Sequence, residues 1–200
     1  MQRRRGSEVL AAAAVAAAAF AAAGLFAGCA GPAARQPVEN LDQRTGMTIA
    51  TLQAPVEFVE AGMMSAGKHS SFAYLGPVEW DRMGEIRYGL WMHVAPGNDR
   101  PVADITTPAA VSLSVDAEVV PLLSMLEVPQ LGLEPYRGAA PWGQTAYFTL
   151  TAELLKRLAS ADRLTLHIRG ADGRSVDFES IRTSRPMLEA FARSRGVIAD

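Results

Sequence analysis

Few residues in this chain have the type and spacing to do chemistry. Histidine occurs three times, at His69, His93 and His167, and cysteine once, at Cys29. Zinc wants converging ligands with two of them close in sequence, and no histidine pair shows the His-x-His or HExxH spacing, so no metal is expected. Met63, Met64 and His69 share one segment and Met92 adjoins His93, the soft donors that suit Cu(I). Neighbouring strand residues point to opposite faces, however, which keeps Met92 and His93 off a common ion and assigns Met92 to the core. Ser65 lies between Gly62 and Gly67, but two residues separate it from the first glycine where a nucleophile elbow needs one. Ser65 and His69 therefore read as a loop. Glu57 with Glu60, or Glu79 with Asp81, would serve as acid and base only if a cleft held the carboxyls about 5 to 10 Å apart. Beside hairpin turns such charges read as a solvated rim. No catalytic residue and no cofactor is assigned, and a non-enzymatic role is expected.

Cys29 carries the clearest chemistry. Arg3, Arg4 and Arg5 precede an uninterrupted apolar and small-residue run from Val9 to Ala27, the charge-then-hydrophobe order of a secretory signal. Ala27 and Gly28 then supply small residues immediately before the thiol. This junction resembles the lipobox of bacterial lipoproteins, with Phe26 where Leu is usual and Leu25 one position early. The resemblance covers about the first 30 residues. It implies cleavage after Gly28, diacylglycerol on the Cys29 thiol and acylation of the new amino terminus. A transmembrane helix is the competing reading, since roughly 20 apolar residues span a bilayer. Alanine dominates the run, which makes it only weakly hydrophobic, and Gly, Cys, Ala, Gly and Pro32 follow it. Two or more buried acyl chains give stable attachment where one does not. Ala30 is not the Asp that keeps many lipoproteins in the inner membrane of enteric bacteria. The resemblance thus implies the outer membrane, facing the periplasm, in a Gram-negative cell, and otherwise the outer face of the cell membrane.

Residues 1–28 hold three arginines and one glutamate, so the remainder carries 16 basic against 20 acidic side chains and is mildly acidic. It has no basic patch to track a phosphate backbone, and nucleic acid is not an expected partner. A single cysteine forms no internal disulfide, so the fold must rest on its core. Residues 29–40, rich in Ala, Gly, Pro and Gln, read as a lipidated tether in which Pro32 and Pro37 interrupt any helix. Residues 41–200 are enough for one domain.

Within that domain the dominant period is two. Tyr88, Leu90, Met92 and Val94 alternate with Arg87, Gly89, Trp91 and His93; Val111, Leu113 and Val115 alternate with Ser112 and Ser114. Leu164, Leu166 and Ile168 alternate with Thr165, His167 and Arg169, and after Ala171-Asp172-Gly173 come Val176 and Phe178. A two-residue turn there would set His167 opposite Phe178. A three-residue loop, with its glycine left-handed, sets Ile168 opposite Val176 and Leu166 opposite Phe178 and keeps one face apolar. Asp81 to Gly84 similarly joins a strand around 71–80 to another at 85–94. Thr151 with Glu153 starts a helix over about 151–160, striped by Leu154, Leu155 and Leu158. Ser184 with Pro186 starts a second over about 184–195, burying Leu188, Phe191 and Ala192 and stopping at Gly196. Hairpins without parallel crossovers predict a mainly β fold, an antiparallel β-sandwich with two short α-helices.

One segment departs from this plan. Between the strands near Leu123 and Gln144 stand Pro129, Gly132, Pro135, Gly138, Pro141 and Gly143, with Tyr136, Arg137 and Trp142 among them. So long a loop is uncommon in a compact domain, and Tyr, Arg and Trp dominate interface energetics. Two expectations compete: the aromatics seal the core, or Tyr136, Arg137 and Trp142 anchor a partner. The functional expectation is a membrane-anchored envelope lipoprotein with a binding or scaffolding role toward an envelope protein or polymer. A lipid or small-ligand carrier with a cavity between its sheets is the alternative, and an envelope hydrolase assembled from distant residues stands behind it.

Overall fold

The computed structural model describes residues 36–62, 71–97, 104–138, 140–170, 172–181 and 184–199. Cys29, Ser65 and His69 lie outside the described residues. The elements run β1 (Val38–Asp42), β2 (Met47–Thr51), β3 (Val56–Glu60), β4 (Phe72–Arg82), β5 (Glu85–Ala95), β6 (Val111–Val115), β7 (Glu118–Pro121), β8 (Gln144–Thr149), α1 (Ala152–Ser160), β9 (Leu164–Arg169), β10 (Ser175–Ser180) and α2 (Arg185–Ser194). The fold is mainly β with two helices, as the alternation predicts.

Local chemistry sets the hairpins. β4 and β5 join through Met83-Gly84, both left-handed at φ 56° and 89°, which is the two-residue turn whose twist matches its strands. The Asp81 carboxylate accepts from the Gly84 amide at 2.7 Å and braces it. Between β9 and β10 the register is Ile168 to Val176 and Leu166 to Phe178, with Gly173 at φ 80°, so the three-residue loop is the one formed. In α1 the Thr151 hydroxyl accepts from the Leu154 amide at 3.1 Å, and Leu155, Leu158 and Ala159 are buried while Leu154 is half-buried. In α2, Leu188, Phe191 and Ala192 face inward, and the two helices pack together.

β4 is where the single ten-stranded sheet branches. Along one edge it pairs with β5 over its full length; along the other, residues 72–75 pair with β3 and residues 78–81 with β2. Gly76 and Pro77 stand where β2 and β3 part. One limb of the sandwich is therefore β1-β2-β4-β5-β8, and the other continues from β3 through β10, β9 and β6 to β7. The outer edge of β8 is also bridged. After β7 the chain crosses to β8, where the Met125 amide donates to Tyr147 and the Thr149 amide to Leu123. Such bridging blunts the exposed strand edges that invite aggregation.

The inner faces meet in a single apolar core that includes Phe58, Leu90, Met92, Leu113, Phe148, Leu166 and Phe178 together with the helix stripes. Met92 is thus core. Burial of a large side chain of this kind contributes about 1.5 to 3 kcal/mol. The expectation of a solvated carboxylate rim holds for Glu57 and fails for Glu60 and Glu79, which are buried. Glu79 accepts from Arg195 at 3.0 Å, and the same guanidinium reaches Glu39, so one side chain beyond α2 ties the helix to β1 and β4. Burial, and then the neighbouring Glu79 carboxylate, push the Tyr88 phenol up to about 12.

Candidate functional site

The outer face of the β4-β5-β8 limb is not a solvent face. Trp91 and His93, on the outer register of β5, are as buried as Leu90 and Met92. The cover is the irregular segment 125–143, and its glycines and prolines have a packing reason. A Cβ on Gly138 would lie 2.8 Å from the His93 ring and one on Gly143 only 2.3 Å, so backbone sits directly on the imidazole. Beneath the cover the sheet itself is hollowed. Gly76 receives the Tyr136 ring and Gly89 the Trp80 ring, each closer than any side chain would allow.

Three sets of polar contacts hold the segment down. Asp42, buried at the β1-β2 turn, accepts from the Gly132 amide at 2.8 Å, and Arg44 donates to the Gln130 carbonyl at 2.8 Å. The Gly132 and Thr45 hydrogen bonds hold the Asp42 carboxyl below its usual range. Tyr136 enters the gap between β2 and β3. Its hydroxyl donates to the Pro77 carbonyl and accepts from the Leu52 amide, both at 2.8 Å, which satisfies two backbone groups that the split leaves unpaired. Its ring lies 5.0 Å from Trp91, which stacks on His93 at 5.9 Å. Finally, His93 Nε2 accepts from the Ala140 amide at 3.4 Å, so Nδ1 carries the proton that Thr145 Oγ1 accepts at 2.8 Å. Burial lowers the pKa of this imidazole.

The segment's three predicted anchors therefore occupy different situations. Tyr136 is 6% exposed and serves the core, in agreement with the sealing expectation. Trp142 is 70% exposed at the apex of a turn closed by the Gly143 amide on the Ala140 carbonyl, so it seals nothing. Arg137 is exposed and lines an open depression of about 620 Å³ with Trp91, Glu134, Tyr136, Thr145 and Tyr147. Near the β4-β5 turn a second open depression, about 520 Å³, sets Arg44, Arg82 and Arg87 beside Glu85 and Glu127, and Arg87 is already paired with Glu85 at 2.6 Å.

The outer face of the other limb holds a constellation that no sequence spacing announces. β9 lies between β6 and β10, and His167 at its middle reaches both neighbours. Its Nδ1 meets Asp177 Oδ1 at 2.7 Å and its Nε2 meets Ser114 Oγ at 2.7 Å. Ser175 Oγ donates to the same Asp177 oxygen at 3.1 Å. The His167 and Ser175 hydrogen bonds, opposed by partial burial, hold the Asp177 carboxyl below its usual range. The side chains of His167 and Asp177 are 25% and 50% exposed, and Ser114 is half-buried.

Among the described residues no group of three or more His, Cys, Asp or Glu is placed to hold a metal, and no helix is long and apolar enough to cross a membrane. No protein-family profile matches the chain, and no curated protein or solved structure is significantly similar to it.

Proposed function

We propose that this is a membrane-tethered binding module of the bacterial envelope. Lipid at Cys29 holds it on the outer membrane, and the tether, expected over residues 29–40, ends by residue 37 because Val38, Glu39 and Asn40 already pair with β2; the 137–142 stretch of the domain engages an envelope protein or polymer. The observation that carries the reading is Trp142, a large aromatic exposed on a turn whose ends, Ala140 and Gly143, rest on the buried His93 ring. An anchor fixed before encounter loses little conformational freedom on binding, which is how rigid aromatic side chains become interface hot spots. Arg137, a few residues away beside an open depression, adds a charged contact of the kind enriched at such surfaces.

The carrier alternative draws no support from the packing between the limbs, where Leu90, Met92, Phe148, Leu113, Leu166 and Phe178 fill the space a ligand would need.

The test is in-cell crosslinking of the full chain followed by purification of the adducts, with Trp142→Ala and Arg137→Ala alongside the wild type. Each substitution should weaken recovery of the wild-type partner by about tenfold, which corresponds to roughly 1.4 kcal/mol, with an unchanged melting temperature. Undiminished recovery from both variants would retire this surface. Intact-mass analysis that finds an unmodified, uncleaved N-terminus would retire the lipid anchor.

A further inference from the structure

We propose that Ser114, His167 and Asp177 form a working nucleophile, in which Ser114 accepts an acyl group from carboxylic esters that carry a good leaving group. The inference is independent of the binding surface, which lies on the opposite limb.

The hydrogen-bond pattern orients the ring. The ionised Asp177 carboxylate only accepts, so His167 Nδ1 donates to it, and in the neutral imidazole Nε2 is then the acceptor facing Ser114. In that state the Ser114 hydroxyl donates to Nε2 across 2.7 Å. This is the tautomer and chain of contacts by which serine hydrolases activate a hydroxyl, and the arrangement recurs on unrelated folds because geometry rather than sequence order defines it. His93 offers an internal contrast: its ring nitrogens meet a threonine hydroxyl and a backbone amide, with no carboxylate, in a buried site.

Strand order explains why three residues spread over 64 positions converge. Asp177 is the direct cross-strand partner of His167 on one side and Ser112 is its partner on the other; Ser114, two residues further along β6 and opposite Thr165, is diagonal to the ring that it meets. Asp177 is a positioning residue: it orients the ring and stabilises the imidazolium. Substrate class follows from what surrounds the hydroxyl. β6 is paired on both edges, with β7 and with β9, so its amides are engaged in the ladder and offer no oxyanion pocket. A reaction there depends on the leaving group, and aryl esters meet that requirement.

In the step itself Ser114 Oγ bonds to the ester carbonyl carbon as its proton passes to His167 Nε2. The carbon–oxygen bond to the leaving group then breaks, and the phenol departs with the proton that the imidazolium returns. Water attacks the acyl-serine by the same relay, releasing the carboxylic acid and restoring the hydroxyl.

The experiment treats the full chain with p-nitrophenyl acetate, follows release of p-nitrophenol and locates acetyl groups by peptide mass spectrometry. The expected adduct is on Ser114 and not on Ser112, which lies on the same strand face. His167→Gln should slow Ser114 acylation by about 10²-fold or more. Asp177→Asn should slow it with an unchanged melting temperature, and Asp177→Glu should recover part of the rate. Added imidazole should restore acylation of Ser114 in His167→Gly, which a merely structural histidine would not allow. Should a histidine variant lose its fold, the Ser114-to-Ser112 ratio in the wild type decides. Acetyl groups on Ser112 and Ser114 alike, or acylation of His167→Gln at the wild-type rate, would overturn the proposal.

Discussion

The two outer faces of the sandwich are built from the same strand period and end in opposite conditions. On the β4-β5-β8 limb the outward residues are Gly76, Trp80, Gly89, Trp91 and His93, and a loop lies over them. On the β6-β9-β10 limb they are Ser112, Ser114, Thr165, His167 and Asp177, partly open to solvent and linked by hydrogen bonds. Alternation alone states that a strand has two faces. Residue type says which is covered: paired tryptophans beside glycines describe a surface shaped to receive more protein, whereas serine, threonine and aspartate describe one that water can satisfy.

The largest effects should fall on the covered face. Trp91→Ala should cost about 3 to 5 kcal/mol, as much as an inner-face truncation such as Phe178→Ala, while Thr165→Ala on the open face should stay within about 0.5 kcal/mol. Denaturant titration of the three variants compares them directly. Equal, small losses for Trp91→Ala and Thr165→Ala would mean that the loop is not seated.

Next in size is Tyr136→Phe. The ring still fills the seat over Gly76, but the Leu52 amide and the Pro77 carbonyl both lose their partner, and leaving such buried groups unpaired costs about 1 to 3 kcal/mol. Faster amide exchange at Leu52 is the accompanying signature.

A smaller effect separates the two faces by pH. The His93 pKa is lowered in the folded state, so the unfolded chain binds more protons as pH falls through the ordinary histidine range near about 6.5. The stability that depends on neutral His93 is present above that range and is lost progressively below it. Melting temperatures of wild type and His93→Gln between pH 8 and pH 5, taken as approximate limits around that range, should therefore converge as the acid end is approached. Parallel curves would show that His93 charges freely, as a solvent-facing imidazole does.

Legibility in the sequence tracks the range of the forces involved. Both helices, the Met83-Gly84 turn and the loop at 171–173 depend on near neighbours, and their residues state them. The register Ile168 to Val176 already sets His167 against Asp177, since one register fixes both faces. Ser114 is absent from that inference because β6 meets β9 only through tertiary pairing, 53 residues away. The cover is less legible. Gly89, Trp91 and His93 occupy the register that alternation reserves for water, and the signal lay in their types: a tryptophan and a glycine are no solvent face. Glu79 was hidden for a similar reason, since its partner Arg195 lies 116 residues on, beyond α2. For Tyr136, Arg137 and Trp142, composition marked the segment, but only the split of β2 from β3 decides which aromatic turns inward.

The measurement that bears most directly on the seated loop and its outward anchor is collisional quenching of tryptophan fluorescence by acrylamide. The chain has three tryptophans; Trp80 and Trp91 are each 1% exposed and Trp142 is 70% exposed. In the wild type one emitting class should quench readily and a second should resist. Trp142→Phe should remove the accessible class and leave the protected one unchanged. Ready quenching of the emission that remains in Trp142→Phe would contradict the account, because Trp91 would then stand open to solvent and no cover would hold Arg137 and Trp142 in place.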